Sequence, residues 1–195
     1  AAAERLARRR AFGASDLAGA LAKVTARTEQ RYERVLVITD GVATAGDTAP
    51  EAIARAARGL GAAGVQRLDA LALGGLRDDA VLRRLVTAGL PKDGTVCDGD
   101  RPAAEVAERL VRATRSGLRV EVPGASWVWP TRLDAMQPGD VALVYADVPA
   151  EAPVRIVVDG KPSEPVLAPV ERPLVERSWV RARIEKLEEL RGQPD

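Results

Sequence analysis

The sequence predicts an α/β fold: a partial, Rossmann-like parallel sheet followed by a small antiparallel β module and a C-terminal helix. Three observations carry this expectation. Val35-Leu36-Val37-Ile38-Thr39 is a continuous apolar, β-branched run, the pattern of a strand buried on both faces in a parallel sheet. Helical and strand patterns alternate up to about residue 115, as βαβ units do. Beyond Gly117 the chain is rich in Val and Pro without helical period, and it closes on a charged amphipathic stretch. The expected divisions are residues 1–116 for the α/β part, 117–172 for the β module, and 173–195 for the helix and tail.

Taken in order, Ala1-Ala2-Ala3-Glu4-Arg5 reads as a helix already under way, in a piece of a longer protein. A second helix is expected from Asp16 to about Glu29, with Leu17, Leu21 and Val24 at helical spacing. After the strand Val35–Thr39, Thr48-Ala49-Pro50-Glu51 announces a helix through a capping hydroxyl, a proline in the first turn and an acid at the positive end of the macrodipole. Ile53, Ala57 and Leu60 share its apolar face, and the glycines between Gly61 and Gly64 stop it. Leu68–Leu73 is the second strand, leaving through Gly74-Gly75 into a helix over Asp78–Ala88 whose Leu82, Leu85 and Val86 face the sheet. Thr95–Cys97 is the third strand. Ala103–Thr114 closes the unit, with Val106, Leu110 and Ala113 inward and Arg109, Arg112 and Arg115 toward water. Three strands joined by helical crossovers should lie side by side.

In the second half, Leu118–Val122, Trp127–Trp129, Val141–Val148 and Val154–Val158 are strand candidates for an antiparallel module of four or five strands. Met136-Gln137-Pro138-Gly139-Asp140 and Asp159-Gly160 read as turns, the latter a hairpin signal. Trp127 and Trp129 point to one face as a core anchor. In the last helix, from about Pro173 to Arg191, Val180, Ile184 and Leu187 form one apolar stripe flanked by Arg181, Arg183, Glu185 and Glu188. Trp179 is expected to anchor this helix on the β module.

Composition narrows the function. The 29 Lys and Arg nearly balance the 28 Asp and Glu, so no global field favours nucleic acid or an acidic membrane. Arg8-Arg9-Arg10, the only compact basic run, reads as a solvated helix face, and aromatics at 3% leave few platforms for stacking bases. With no histidine and a single cysteine, histidine-based zinc sites, Ser-His-Asp chemistry and disulfide frameworks are all excluded. Cys97, in a short apolar run, reads as a buried structural thiol. No stretch approaches the roughly twenty apolar residues of a membrane-spanning helix.

Two loops carry the candidate chemistry. Asp40 follows the first strand at its carboxyl end, the edge where open α/β sheets place ligands. Gly13-Ala14-Ser15-Asp16-Leu17 delivers a hydroxyl, that of Ser15, into the start of a helix. An alcohol and a carboxylate converging on one edge are hard oxygen ligands for Mg²⁺ or Ca²⁺. Two glycine patterns carry less. Gly59, Gly61 and Gly64 match a dinucleotide fingerprint, but a helix precedes them and a strand follows, so they read as a helix stop. Gly74-Gly75 reads as a tight crossover.

Gly13–Leu17 and Thr39-Asp40-Gly41 resemble the second and third loops of the metal-ion-dependent adhesion site in von Willebrand factor A domains. The resemblance gives Ser15 the hydroxyl position and Asp40 the acidic one. It also has departures: Ser15 stands where threonine is usual, and Ala14 where a second glycine is. The first loop of that site, Asp-x-Ser-x-Ser, occurs nowhere in this chain, so the ligand set is incomplete. The β segment that follows, and then Arg172-Pro173-Leu174-Val175-Glu176-Arg177-Ser178-Trp179-Val180-Arg181-Ala182-Arg183-Ile184-Glu185-Lys186-Leu187, look like inter-α-trypsin inhibitor heavy chains and their bacterial relatives, which carry a VIT domain before the A domain.

The resemblance implies a protein-interaction or adhesion module without enzymatic chemistry. In the intact protein Mg²⁺ or Ca²⁺ would bind an acidic group of a protein partner, while this chain would hold no ion tightly. It further implies a cell-envelope or extracellular setting, while composition argues against nucleic-acid binding and membrane insertion. The strand Val35–Thr39 would present an open edge, inviting self-association. The competing reading is a Mg²⁺-dependent α/β hydrolase or phosphotransferase using Asp40 as ligand or nucleophile.

Overall fold

The computed structural model describes Glu4, Arg8 and residues 13–27, 31–167 and 173–191. The rest of the expected opening helix, with Arg9 and Arg10 of its basic run, and the expected helix end at Glu29 lie outside them. The chain divides into two compact units, Ala1–Thr114 and Arg115–Asp195.

The first unit runs α1 (Leu17–Thr25), β1 (Arg34–Thr39), α2 (Pro50–Gly59), a 3₁₀ turn (Leu60–Ala63), β2 (Arg67–Ala72), α3 (Asp79–Val86), β3 (Val96–Asp98) and α4 (Ala103–Val111). Its three strands lie in the order β1-β2-β3, all parallel. Local chemistry sets the helix ends. Asp16 caps α1, its Oδ1 accepting the Gly19 N–H at 2.8 Å. Thr48 was the expected cap of α2, but the cap position belongs to Ala49, which offers no side-chain acceptor. Asp47 organises that turn instead, its Oδ1 taking the Ala49 N–H at 3.2 Å. Pro50 then sits where no N–H is needed, and Gly64, with φ of 88°, ends the following 3₁₀ turn in the left-handed region. The third strand begins one residue later than expected, at Val96, because Thr95 is spent on the sheet's polar network described below.

Register divides the sheet into two unlike faces. Val35 and Val37 pair with Leu68 and Ala70, and Ala70 with Val96. This face meets Leu17 and Leu21 of α1, Ile53 and Ala57 of α2 and Leu82, Leu85 and Val86 of α3, forming the core. Gly94 belongs to its rim, because a Cβ there would lie 1.7 Å from the Leu68 carbonyl oxygen. The opposite face carries Arg34, Leu36 and Ile38 on β1, aligned with Arg67, Asp69 and Leu71 on β2. The expectation that β1 is buried on both faces therefore fails: Leu36 is 43% and Ile38 53% exposed, and β1 is the end strand of its sheet among the described residues. The physical reason is coverage. On this face α4 lies along β3 and meets β1 through Arg34, whose Nη2 donates to the Leu110 carbonyl, while Leu36 and Ile38 stay open.

What α4 does meet is a buried ionic cluster. Asp69, 2% exposed, accepts from Arg67 Nε at 2.8 Å, from the Thr95 N–H at 2.9 Å and from Arg34 Nη2 at 2.7 Å. Arg67 Nη2 stands 2.8 Å from the same carboxylate as an ion-pair contact. The two guanidiniums continue to the end of α4: Arg67 Nη1 donates to the Arg112 carbonyl at 2.7 Å, and Arg34 Nη2 to the Leu110 carbonyl. Cations thus meet the carbonyls at the negative end of the helix dipole. This polar docking explains why α4 has no fully buried residue and why the expected inward row is only partly met. Val106 and Leu110 are half-buried, Ala113 is exposed, and Arg109, expected in water, is half-buried with its Nη2 3.5 Å from Thr95 Oγ1.

The second unit contains β4 (Leu118–Glu121), β5 (Trp127–Trp129), β6 (Arg132–Leu133), β7 (Tyr145–Asp147), β8 (Ile156–Val158), β9 (Lys161–Ser163) and helix α5 (Pro173–Arg191). The single module of four or five strands is corrected to two antiparallel sheets, β6-β4-β8-β9 and the pair β5-β7. Val141–Val148 shortens to Tyr145–Asp147, since Val141 and Leu143 lie exposed with no strand partner to pair them. Asp159 and Gly160 form the expected hairpin turn between β8 and β9, with φ of 51° and 77°.

Helix α5 docks on β5 and β7 through an aromatic and ionic cluster. Trp127 and Trp179 meet edge to face at 6.1 Å, and the Arg183 guanidinium lies 4.7 Å from both ring centres. Asp147, paired with Trp127 across the two strands, accepts from Trp179 Nε1 at 2.9 Å and from Arg183 Nη2 at 2.7 Å. Ala182 is buried in the same seam. The anchoring role of Trp179 is thus met, whereas the Val180–Ile184–Leu187 stripe turns to solvent.

The ionic cluster makes unit 1 sensitive at one atom group and tolerant nearby. Asp69→Ala leaves the buried Arg67 guanidinium without its anion, beside the half-exposed Arg34, and should lower the stability of this unit by about 3 kcal/mol. Leu36→Ser, on the uncovered face, should change it by less than about 0.5 kcal/mol. Urea unfolding of both variants checks this, and equal midpoints would remove Asp69 from its structural role.

Candidate functional site

The rim at the carboxyl ends of β1, β2 and β3 is assembled by backbone geometry. At the end of β1, Thr39 Oγ1 accepts the Gly41 N–H at 3.0 Å and Asp40 Oδ1 accepts the Val42 N–H at 3.0 Å, so the turn is closed by its own side chains. The Asp40 carbonyl accepts the Asp78 N–H at 2.9 Å, fixing the turn to the start of α3. Gly41 is required at this contact: its φ is 85°, and a Cβ would lie 2.8 Å from the Asp78 carbonyl oxygen.

The structure joins the Ser15 loop to the segment that follows Asp40. The Ser15 N–H donates to Thr44 Oγ1 at 2.8 Å, and the Ser15 carbonyl accepts from the N–H groups of Thr44 at 2.9 Å and Ala45 at 3.2 Å. Asp16 lies against Gly46 so closely that a Cβ there would fall 2.4 Å from Asp16 Oδ1. A shallow groove of about 460 Å³ opens beside this junction, lined in part by Asp16, Gly46, Asp47 and Arg55. Ser15 is exposed and Asp40 half-buried. The clasp residue, Thr44, carries no signal in the sequence, because a lone threonine in a loop looks like any other.

A second charged group stands at the end of β3. Arg77 donates from Nε to the Gly74 carbonyl at 2.7 Å and reaches Asp98 and Asp100, each at 2.8 Å. The crossover at Gly74-Gly75 is thus pinned by the arginine that follows it. The Asp100 N–H donates to Asp98 Oδ1 at 3.1 Å; this bond, and then Arg77, hold the Asp98 carboxyl below the usual aspartate range. The strand-end reasoning that singles out Asp40 applies equally to Asp98.

Ser15 supplies one hydroxyl, and Asp40 one carboxylate whose Oδ1 already serves its own turn. Hard divalent cations take six to eight oxygens or a near-octahedral set. Among the described residues no three His, Cys, Asp or Glu side chains converge to hold a metal. The residues present therefore do not form a closed cation site. Cys97 is buried and unbridged, and burial pushes its thiol up, away from the thiolate form a nucleophile needs. Among the described residues no helix is long and apolar enough to cross a membrane.

No protein-family model, curated protein or solved structure matches this chain.

The depressed carboxyl of Asp98 has a definite pH signature. Its charged form is favoured in the folded state, so its contribution is present above the unfolded-state aspartate range and is lost as pH falls through the lower folded value. A carbon-detected NMR titration should place Asp98 below a free aspartate, and Arg77→Gln should move it part of the way back. An unmoved midpoint in that variant would leave the Asp100 N–H as the sole cause.

Proposed function

We propose that this chain is a protein-interaction module, similar in arrangement to the later part of a von Willebrand factor A domain with its following β segment and helix. The observation that carries the reading is the Ser15–Thr44 clasp, which draws the loop bearing the alcohol onto the segment that leaves Asp40 at the end of β1. In this reading Ser15 and Asp40 contribute one ligand each to a divalent ion in the intact protein. Further oxygens come from an acidic group on the partner, from water and from protein groups beyond these two. Specific binding then depends on rim shape as well as charge, because an incompletely coordinated hard cation is completed by whatever carboxylate the rim admits. The parallel strand order β1-β2-β3 and the rim position of both loops support this reading over a nucleotide-binding one, since the Gly59–Gly64 pattern lies between a helix and a strand in the wrong order.

Calorimetric titration with Mg²⁺ or Ca²⁺ tests the proposal. This chain should bind at about millimolar strength or weaker, the intact protein more tightly, and Asp40→Ala should abolish the heat in both. Identical heats for wild type and variant would remove Asp40 from the site. Turnover of a general phosphatase substrate that disappears in Asp40→Asn would replace the interaction reading with a hydrolytic one.

A further inference from the structure

Strands β4 and β6 set two arginines against each other. Arg119 on β4 is the direct partner of Arg132 on β6. The Val120 N–H donates to the Thr131 carbonyl at 2.9 Å, so Arg119 and Arg132 form the neighbouring pair without backbone hydrogen bonds, where opposed side chains stand closest. Like charges in that position oppose strand pairing. The carboxylates nearby leave the conflict standing. Asp134 takes only Nε of Arg132, at 2.9 and 3.0 Å, and also accepts the Gly117 N–H at 2.6 Å. Asp159, whose own N–H donates to the Arg119 carbonyl, gives its carboxylate to Arg115 at 2.9 Å. Among the described residues none makes an ion pair or a side-chain hydrogen bond with Arg119.

We propose that Arg119 and Arg132 form an anion site for a phosphate group. Both line a cavity of about 370 Å³, together with Gly117, Val120, Glu121 and Thr131. Asp134 fixes the Arg132 guanidinium through Nε alone, which leaves Nη1 and Nη2 to donate elsewhere. That guanidinium lies beside Gly117, where a Cβ would stand 3.8 Å from Nη2. Each guanidinium presents paired N–H groups that match two oxygens of one anion. Two such forks need oxygens on more than one edge, which a tetrahedral phosphate has and a planar carboxylate lacks. Glu121, the one carboxylate in the lining, stands two residues along the same face of β4 and opposes the anion. Its charge holds the affinity below what two arginines alone would give. An anion between the guanidiniums turns their repulsion into two attractions, so the same pair that burdens the empty sheet favours the liganded one. The proposal stands independently of the ion-dependent reading of the Ser15–Asp40 rim.

An NMR titration of the full chain at constant ionic strength tests it, following the Gly117 amide and the arginine Nε–H signals. Inorganic phosphate should saturate these shifts at about millimolar concentration, acetate should bind more weakly, and sodium chloride should leave them unmoved. Glycerol phosphate, as a second probe, separates an esterified phosphate from the free ion: equal or tighter binding assigns the site to esters, weaker binding to the ion itself. Arg119→Gln and Arg132→Gln, both at exposed positions, should each lower the phosphate affinity about tenfold or more, and Glu121→Gln should raise it. In phosphate-free, low-salt buffer Arg119→Gln should keep or raise the melting temperature, because the repulsion is relieved. Equal responses to phosphate and chloride would overturn the proposal, since they report general screening. So would phosphate binding that survives Arg119→Gln, or a lowered melting temperature of that variant without phosphate, which would make the arginine structural.

Discussion

A carboxylate buried in the middle of β2 ties together the three strands and the last helix of the first unit. Asp69 receives the guanidinium of Arg34 from β1, that of Arg67 from its own strand, and the Thr95 N–H just before β3. Three strands are thereby held in one register by one anion. The same two guanidiniums reach the last carbonyls of α4, so the helix is placed by polar contacts where an apolar row would ordinarily serve. An arrangement of this kind is intolerant of partial loss. Asp69 and Arg67 are acceptable in a low-dielectric interior only while they remain partnered, and the desolvation already incurred is not recovered when one is removed.

Register also decides where function can sit. With β1, β2 and β3 aligned, Asp40 and Asp98 leave the sheet at the same end, and the crossover after β2 brings Arg77 between Asp98 and Asp100. The rim is then closed by loop geometry: Gly41 permits the approach to Asp78, and Thr44 receives Ser15. Each step follows from the one before it, from a buried ion to strand register to the position of two loops. The chemistry that rim can perform is limited by what its oxygens are already doing, as Asp40 Oδ1 and the Ser15 backbone show.

Much of this was legible in the sequence, and the exceptions have physical causes. The mixed α/β order, the parallel strands, the inward row of α3, the stop at Gly64 and the Asp159-Gly160 hairpin all followed from periodicity and turn chemistry. The double burial of β1 did not. An apolar run records what a strand can bury, and coverage depends on which helices lie over it. The side on which α5 docks follows Trp179, as expected, and not the apolar stripe. Apolar spacing marks Val180, Ile184 and Leu187, but the docking side is won by a tryptophan and an arginine that satisfy one aspartate, the tryptophan meeting Trp127 edge to face and the guanidinium lying over its ring. At the rim, residue types and neighbours single out Ser15 and Asp40 as candidates. Thr44 was invisible because its role exists only once the loops have met.

The most direct measurement is paramagnetic broadening by Mn²⁺, used as a stand-in for Mg²⁺, followed residue by residue in the amide NMR spectrum. If the rim is one site, the amides of Ser15, Asp40, Val42 and Thr44 should broaden together at the lowest additions and lose that response together in Asp40→Ala. Broadening that starts around Asp98 and Asp100, or that reaches Ser15 and Asp40 independently, would contradict the account.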